Sequence, residues 1–260
     1  MPDTIEQSIY DFPVYYDLLF GSDWRAEFEF LEFCFEAYTN RVVKRVFEPA
    51  CGTGRLLIKM AKSDYEVGGN DLNPKAIDYC NDRLERHGFQ RSTFVGDMSD
   101  FKLKRKVDAA FNTINSFRHL PTEKAARSHL QCMARCLAKG GLYALGLHLL
   151  PTKGPTVDEE AWSARRGNLV VNSYMWSKRI DKKNRMEHLG MTVDIYTPTK
   201  HQQIVDHMEY RTYTKPQFEE LVASVPELEI AAIHDFAYNV NTTIELDDST
   251  EDMVCILRKR

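Results

Sequence analysis

The chain has 260 residues, enough for one large α/β domain or a core domain with a sizeable insertion. Its net charge of −4 and pI near 6.1 speak against a dedicated nucleic-acid binder, and no apolar run approaches the roughly 18–20 residues that span a bilayer. With 43% hydrophobic and 28% charged residues and a mean hydropathy of −0.44, the composition is that of an ordinary soluble globular protein.

The first ten residues, Met1 to Tyr10, are acidic and polar and do not read as a signal peptide. Phe28, Leu31, Phe35 and Tyr38 recur at helical spacing and predict a helix over 26–39. Val42–Phe47 is a short β-rich run, followed by a predicted helix over Arg55–Lys62 and a strand over Glu66–Asn70. Pro74 suits a first helical position and opens a helix to about Arg86. Further β-like runs lie at Ser92–Val95, Val107–Phe111 and Gly141–Leu147. A long helix over Pro121–Ala138, with Lys139-Gly140-Gly141 as its stop, separates the last two. Strands alternating with helices at this spacing imply a doubly wound parallel sheet.

The pattern then changes. Residues 151–167 are polar, contain Pro151 and Pro155, and read as a loop or lid. Leu169–Tyr213 holds three β-rich stretches broken by Asp181-Lys182-Lys183-Asn184 and Thr197-Pro198-Thr199-Lys200, the pattern of an antiparallel meander. Its Tyr174, Trp176, Met186, Met191, Tyr196, Met208, Tyr210 and Tyr213 read first as sheet core and second as a binding surface. His188, His201 and His207 alternate with charged residues, so they face either solvent or a cap over the site. A helix near Pro216–Ser224 and strands at Glu229–His234 and Met253–Leu257 complete the chain. The acidic turn with Glu245, Asp247, Asp248, Glu251 and Asp252 lacks EF-hand spacing and reads as a solvated loop. Of the six cysteines, only Cys132 and Cys136 share a helix face, and no further pair completes a metal set; no metal is expected. Reduced thiols fit a cytoplasmic protein.

The most informative segment is Glu48-Pro49-Ala50-Cys51-Gly52-Thr53-Gly54-Arg55 at a strand–helix junction. Two glycines there let a backbone approach a ligand closely, at the carboxyl end of a strand where open α/β sheets bind ligands. A dinucleotide site wants a third small residue for close helix packing, and Leu57 stands in its place. The segment instead resembles motif I of class I S-adenosylmethionine-dependent methyltransferases, whose common form is D/E-x-x-C-G-T-G. Asp71 follows 17 residues after Gly54, where an acid accepts hydrogen bonds from ribose hydroxyls, with Leu72 beside it for the adenine face. Capping the helix at Pro74 is the other role open to Asp71. Gly96-Asp97-Met98 stands after the third strand, where the family places an acid against the adenine amino group.

Phe111-Asn112-Thr113-Ile114-Asn115-Ser116-Phe117-Arg118-His119-Leu120-Pro121 resembles the N-S-F-x-H-L-P segment of glycine N-methyltransferases and, more loosely, that of amino-sugar N-methyltransferases. Tyr15-Tyr16-Asp17-Leu18-Leu19-Phe20-Gly21 resembles the N-terminal segment of the same enzymes, and the likeness covers roughly residues 10–150. Arg118 and Ile114 replace a small residue and a glycine, which speaks against glycine as substrate.

The resemblance implies a Rossmann-like, doubly wound seven-stranded α/β sheet with the antiparallel meander inserted after strand five. The core would be 1–150 and 214–260, and the inserted lid and meander 151–213. S-adenosyl-L-methionine would be held by Tyr16, Arg25, Glu48, Ala50, Gly52, Gly54, Asp71, Leu72, Asp97, Met98 and Asn112. Methyl transfer is an in-line displacement, so positioning supplies much of the rate. Tyr16 and His119 are the catalytic candidates, and His119 either accepts a proton, hydrogen-bonds the acceptor, or is satisfied by backbone. Asn115 and Ser116 would orient the acceptor, and Arg118 would pair with a substrate carboxylate or a surface acid. The expected reaction is methylation of a small molecule, first at an amine nitrogen and alternatively at oxygen. A non-catalytic cofactor-binding protein is the other reading. Neither DNA nor a membrane is an expected partner, and nothing supports an oligomer.

Overall fold

A computed structural model describes residues 2–154, 156 and 159–260. In chain order the elements open with β1 (Asp3–Glu6), α1 (Pro13–Phe20), α2 (Arg25–Ala37), β2 (Arg45–Pro49), α3 (Leu57–Lys62) and β3 (Glu66–Asp71). They continue with α4 (Pro74–Arg86), β4 (Thr93–Val95), β5 (Val107–Asn112), α5 (Glu123–Cys136) and β6 (Leu137–His148). The chain closes with β7 (Glu159–Arg166), β8 (Leu169–Asp181), β9 (Met186–Thr197), β10 (Lys200–Arg211), α6 (Lys215–Ala223), β11 (Leu228–His234) and β12 (Asp252–Lys259).

Seven strands form one sheet in the order β11-β12-β6-β5-β2-β3-β4. β12 runs antiparallel to both its neighbours, and the other pairs are parallel. Side chains alternate across the sheet, so consecutive residues serve opposite layers. Phe47, Ala110 and Tyr143 pack toward α5 and α6, whereas Val46, Ala109 and Leu142 pack toward α2, α3 and α4. Burial on both faces fixes the register, because a slip of one residue would exchange the layers. The seven-stranded α/β architecture is the one the sequence predicts.

β7 to β10 form an antiparallel run, and β1 adds parallel to β10, giving a second sheet of five strands in the order β1-β10-β9-β8-β7. Val171, Leu189, Met191, Val193, Ile195 and Ile204 of this sheet bury against Leu18 and Leu19 of α1 and Ile9. Met208, Tyr210 and Tyr213 are buried, while Tyr174 and Tyr196 are exposed, so the aromatic stripe divides between core and surface.

Three expectations need correction. Residues 159–166, read as part of a polar loop, are strand β7; Pro155 of the same segment lies outside the described residues. In β7 only the half-buried face alternates toward the sheet, and it offers Trp162 and Ala164 beside Glu160, too weak an apolar period to see. The helix predicted to Ala138 ends at Cys136, and Gly140 (φ +75°) sits inside β6. There the pairing of β5 with β6 shifts register between Val107 and Ala109, so the glycines serve a bulge rather than a helix stop.

Candidate functional site

A cavity of about 560 Å³ opens at the carboxyl ends of β2, β3 and β4, and its walls include Tyr10, Tyr16, Ala50, Gly52, Asp71, Leu72, Gly96, Met98, Ser116 and His119. The loop after β2 shapes its floor. Ala50 and Gly52 both have φ +52°, a left-handed conformation that costs a non-glycine residue about 1 kcal/mol and recurs at functional turns. The Gly52 N–H donates to Asp71 Oδ2 at 2.9 Å, and the Asn73 N–H donates to Oδ1 at 2.8 Å. Burial raises the Asp71 carboxyl, while the N–H groups of Asn73, Gly52 and Leu72 hold it down. The helix cap is Asn73, which accepts from the N–H groups of Lys75 and Ala76, so Asp71 is left to the cavity.

Gly54 has a different duty. It does not line the cavity, but with φ +67° it packs α4 against the loop, where a Cβ would meet Cys80 Sγ at 2.3 Å. Beneath the loop Arg55 is committed to Glu27, with Nη2 2.7 Å from Oε1 and Nη1 2.5 Å from Oε2, and the Thr113 hydroxyl donates to the same carboxylate. Glu48 is buried next to this pair, and desolvation pushes its carboxyl well above the usual range against the pull of Arg55. Glu48 Oε2 and Asn112 Oδ1 have no hydrogen-bond partner, although Asn112 Nδ2 donates to Pro49 O at 2.7 Å. Neither Glu48 nor Asn112 is among the residues that line the cavity.

The N-terminal segment closes one side. Asn73 Nδ2 donates to Tyr10 O (3.0 Å) and Asp11 Oδ1 (2.9 Å), and Asp206 Oδ2 accepts from the Ile9 N–H at 2.8 Å. α1 is pinned by Asp17, which takes Arg83 Nη1 at 2.5 Å and the Tyr79 hydroxyl at 3.3 Å, while Arg83 also reaches Thr53 O at 3.0 Å. These anchors set Tyr16 beside Tyr10 at 5.5 Å between ring centroids. Burial raises the phenols of both, so both remain protonated.

His119 ends a short 3₁₀ turn, Ser116–His119, after β5. Its Nε2 lies 2.9 Å from the Tyr10 hydroxyl, and its ring meets Tyr210 edge-on at 4.7 Å. Burial and the Arg118 guanidinium push the imidazole down to about 4, so the ring is neutral at pH 7 and shares a hydrogen bond with the Tyr10 hydroxyl.

Several predicted residues lie elsewhere. Arg25 points to solvent from α2, its side chain 79% exposed and paired with Glu29, and does not reach the cavity. Asp97 is exposed and accepts the Ser99 N–H at 2.7 Å, while its neighbours Gly96 and Met98 form the wall. Arg118 is buried and spent internally, with Nη2 2.5 Å from Glu187 Oε2 and Nε donating to Arg211 O at 3.0 Å. Its partner is thus a mostly buried acid of β9 rather than a surface acid. Asn115 (φ +52°) accepts the His148 N–H at 2.7 Å and faces a second, smaller cavity rather than the main one.

Sequence reasoning missed Tyr10, Asn73, Asp17 and His129. Only Asn73 carried a local signal, an N-cap residue directly before Pro74. His129 works at a distance: its Nδ1 and Nε2 lie 2.9 Å from Met98 O and the Tyr143 hydroxyl, so it fixes the carbonyl of a cavity residue.

Comparison with known proteins agrees with this geometry. Residues 46–141 match the family described as "Methyltransferase domain". A Geobacillus protein named as a methyltransferase is 22% identical over 167 residues, 64% of this chain and 66% of that one. The dTDP-3-amino-3,4,6-trideoxy-α-D-glucopyranose N,N-dimethyltransferase of Streptomyces venezuelae is 26% identical over 179 residues, 66% of this chain and 72% of that one. The matched stretch therefore spans about two thirds of each relative. Among solved structures, an S-adenosylmethionine-dependent methyltransferase from Clostridium acetobutylicum superimposes with a TM-score of 0.76 at 17% identity, covering 95% of this chain and 97% of that one. An amino pentose methyltransferase from Micromonospora echinaspora, with S-adenosylmethionine bound, gives 0.73 at 18% identity over all of both chains. The chain resembles the amino-sugar N-methyltransferase group of class I methyltransferases.

Proposed function

We propose that this chain, which carries an S-adenosylmethionine-dependent methyltransferase domain, methylates an amine nitrogen of a small polar molecule. The observation that carries the reading is the neutral His119 held by Tyr10 at the inner wall of the cavity. A base near 4 and two protonated phenols are poorly matched to removing a proton from an alcohol, whereas an amine that enters deprotonated attacks unaided. His119 and Ser116 then serve to orient the nitrogen by hydrogen bonds, and the aromatic faces exclude water.

When bound, S-adenosylmethionine supplies an electrophilic methyl group on a sulfonium sulfur. Asp71 would take the ribose hydroxyls, Gly52 and Ala50 the close backbone contacts, and Leu72 and Met98 the adenine. The Tyr16 face would lie beside the cation. We read 1–150 and 214–260 as the core and 151–213 as its cap, tied to the N-terminus through β1. The six cysteines are free and buried, in keeping with a cytoplasmic setting. No helix among the described residues is long and apolar enough to cross a membrane.

Calorimetric titration with S-adenosylmethionine and S-adenosylhomocysteine tests the cofactor assignment, and an amine screen for S-adenosylhomocysteine release tests turnover. Binding without turnover on any amine, but with turnover on alcohols, would shift the reading to oxygen. Binding without any turnover would favour a non-catalytic cofactor-binding protein.

A further inference from the structure

Asn73 stands between the two sides of the cavity. Its backbone N–H donates to Asp71 Oδ1 at 2.8 Å, and Asp71 Oδ2 takes the Gly52 N–H at 2.9 Å. Its side-chain carbonyl caps α4, accepting from the Lys75 N–H at 2.9 Å and the Ala76 N–H at 3.3 Å. That orientation turns Nδ2 the other way, where it donates to Tyr10 O at 3.0 Å and Asp11 Oδ1 at 2.9 Å. Tyr10 in turn puts its hydroxyl 2.9 Å from His119 Nε2. Both ends of the Asn73 amide are thus engaged, and polar contacts run from the glycine loop through Asp71, Asn73 and Tyr10 to His119.

Capping alone does not call for asparagine. Aspartate or serine caps a helix as well, and Pro74 at the first helical position already favours the start. What asparagine adds is its two donors. They meet an N-terminal segment that is otherwise fastened to the cap. β1 pairs with β10, and the Ser8 hydroxyl and the Ile9 N–H both donate to Asp206 Oδ2 of β10, at 3.1 Å and 2.8 Å. Toward the core, the short 3₁₀ turn Ile9–Asp11 makes the two Asn73 bonds, the Tyr10–His119 bond and an ion pair of Asp11 with Lys75 at 3.5 Å. The ion pair is the weak member, because the Lys75 side chain is 56% exposed. Asn73 is therefore the side chain that ties the Tyr10 peptide to the end of β3.

We propose that Asn73 is a positioning residue for methyl transfer, which couples a cofactor at Asp71 to the Tyr10–His119 pair by holding the Tyr10 peptide against the end of β3. A ribose on the Asp71 carboxylate restricts the 71–73 turn, and Asn73 passes that restriction to the N-terminal segment. The ligand shifts the segment because it favours the tied arrangement over the loose one. The wall that meets the acceptor is then completed once the cofactor is in place. Misplacement by about 1 Å can cost on the order of a hundredfold in rate, so a tie of this kind acts on turnover more than on cofactor affinity. The inference rests on the methyltransferase reading above.

The test is hydrogen–deuterium exchange on the full chain, with and without saturating S-adenosylhomocysteine, followed at Asp11 and Phe12. Their N–H groups donate to Ser8 O at 3.1 Å and Ile9 O at 3.0 Å and so report the turn. In wild type the ligand should slow their exchange at least tenfold. In Asn73→Ser and Asn73→Asp, which keep a helix cap and lose the Nδ2 donors, the slowing should drop below threefold while S-adenosylhomocysteine still binds. Lys75→Ala removes only the exposed ion pair and should keep the wild-type slowing. Urea midpoints of the four proteins should lie close together, since each retains its cap. With an amine that turns over, kcat should fall at least tenfold in both Asn73 variants against a cofactor Kd within threefold, a split that lost stability alone does not produce. Equal slowing in wild type and the Asn73 variants, or loss of slowing in Lys75→Ala as well, would overturn the proposal. Failure of wild type to bind S-adenosylhomocysteine would instead sink the cofactor reading, and this inference with it.

Discussion

Asp71 Oδ2 and the Gly52 N–H, 2.9 Å apart, tie the end of β3 to the glycine loop after β2. The carboxylate thus shapes the cavity floor while offering its remaining lone pairs to a ligand. Asp71→Ala removes both functions, and S-adenosylmethionine affinity should fall at least tenfold, about 1.4 kcal/mol. Asp71→Asn keeps one acceptor oxygen and should lose less. Calorimetric titration of both variants checks this, and unchanged affinity in the alanine variant would refute the assignment.

His119 and Tyr10 should separate binding from turnover. Tyr10→Phe removes the hydroxyl that occupies His119 Nε2, and His119→Gln removes the ring. Both should lower kcat, the second by on the order of a hundredfold, and leave the cofactor Kd within about twofold. Because burial and Arg118 hold His119 near 4, its titration cannot shape the rate between pH 6 and 8. The acid limb of kcat/KM in that range should therefore match in wild type and His119→Gln, and should move only when the amine substrate is changed.

What the sequence discloses is local. The loop 48–54, Asp71 and Met98 are legible because each follows its own strand within a few residues, and the strand–helix alternation orders those strand ends. The supports are not local. His119 meets Tyr10 across 109 residues, Arg83 meets Asp17 across 66, and His129 meets Met98 across 31. Arg118 shows the limit from the other side: its position after the Asn-Ser pair leaves a substrate carboxylate and a surface acid both open, and the acid that pairs with it, Glu187, lies 69 residues away in β9. The resemblance implies Arg25 at the cofactor, and only the packing of α2 shows that the side chain turns outward.

Gly54 and Cys80 should show coupled stabilities. In Gly54→Ala the new Cβ would sit 2.3 Å from Cys80 Sγ in a residue with φ +67°, so crowding and backbone strain together should cost about 2–4 kcal/mol. Removing the sulfur with Cys80→Ala leaves the nearest atoms at 3.5 Å and 3.7 Å, which is ordinary contact. The double variant should therefore be more stable than Gly54→Ala alone, with a coupling of at least about 1 kcal/mol. Urea unfolding of the four proteins measures it, and additive losses would show that the clash relaxes elsewhere.

Acid should destabilise the fold through buried neutral histidines. Burial pushes His119, His129 and His148 down to about 4, below the roughly 6.5 of an unfolded histidine. Between those values the unfolded chain binds one more proton per histidine than the native chain. Stability is then full above about pH 6.5 and falls by about 1.4 kcal/mol per pH unit for each histidine as the pH drops toward 4. Glu48 and Asp71, whose carboxyls are raised by burial, oppose this at the acid end. His129 isolates the effect, because it is fully buried, bonded to Met98 O and Tyr143, and outside the cavity lining. His129→Gln should lower stability at pH 7 by removing those bonds, yet flatten the decline between pH 6.5 and 5 by about 1.4 kcal/mol per unit. Urea midpoints at pH 7, 6 and 5 give both numbers. A slope identical to wild type would mean that His129 is protonated in the native protein, which would leave the Met98 carbonyl held by a charged ring.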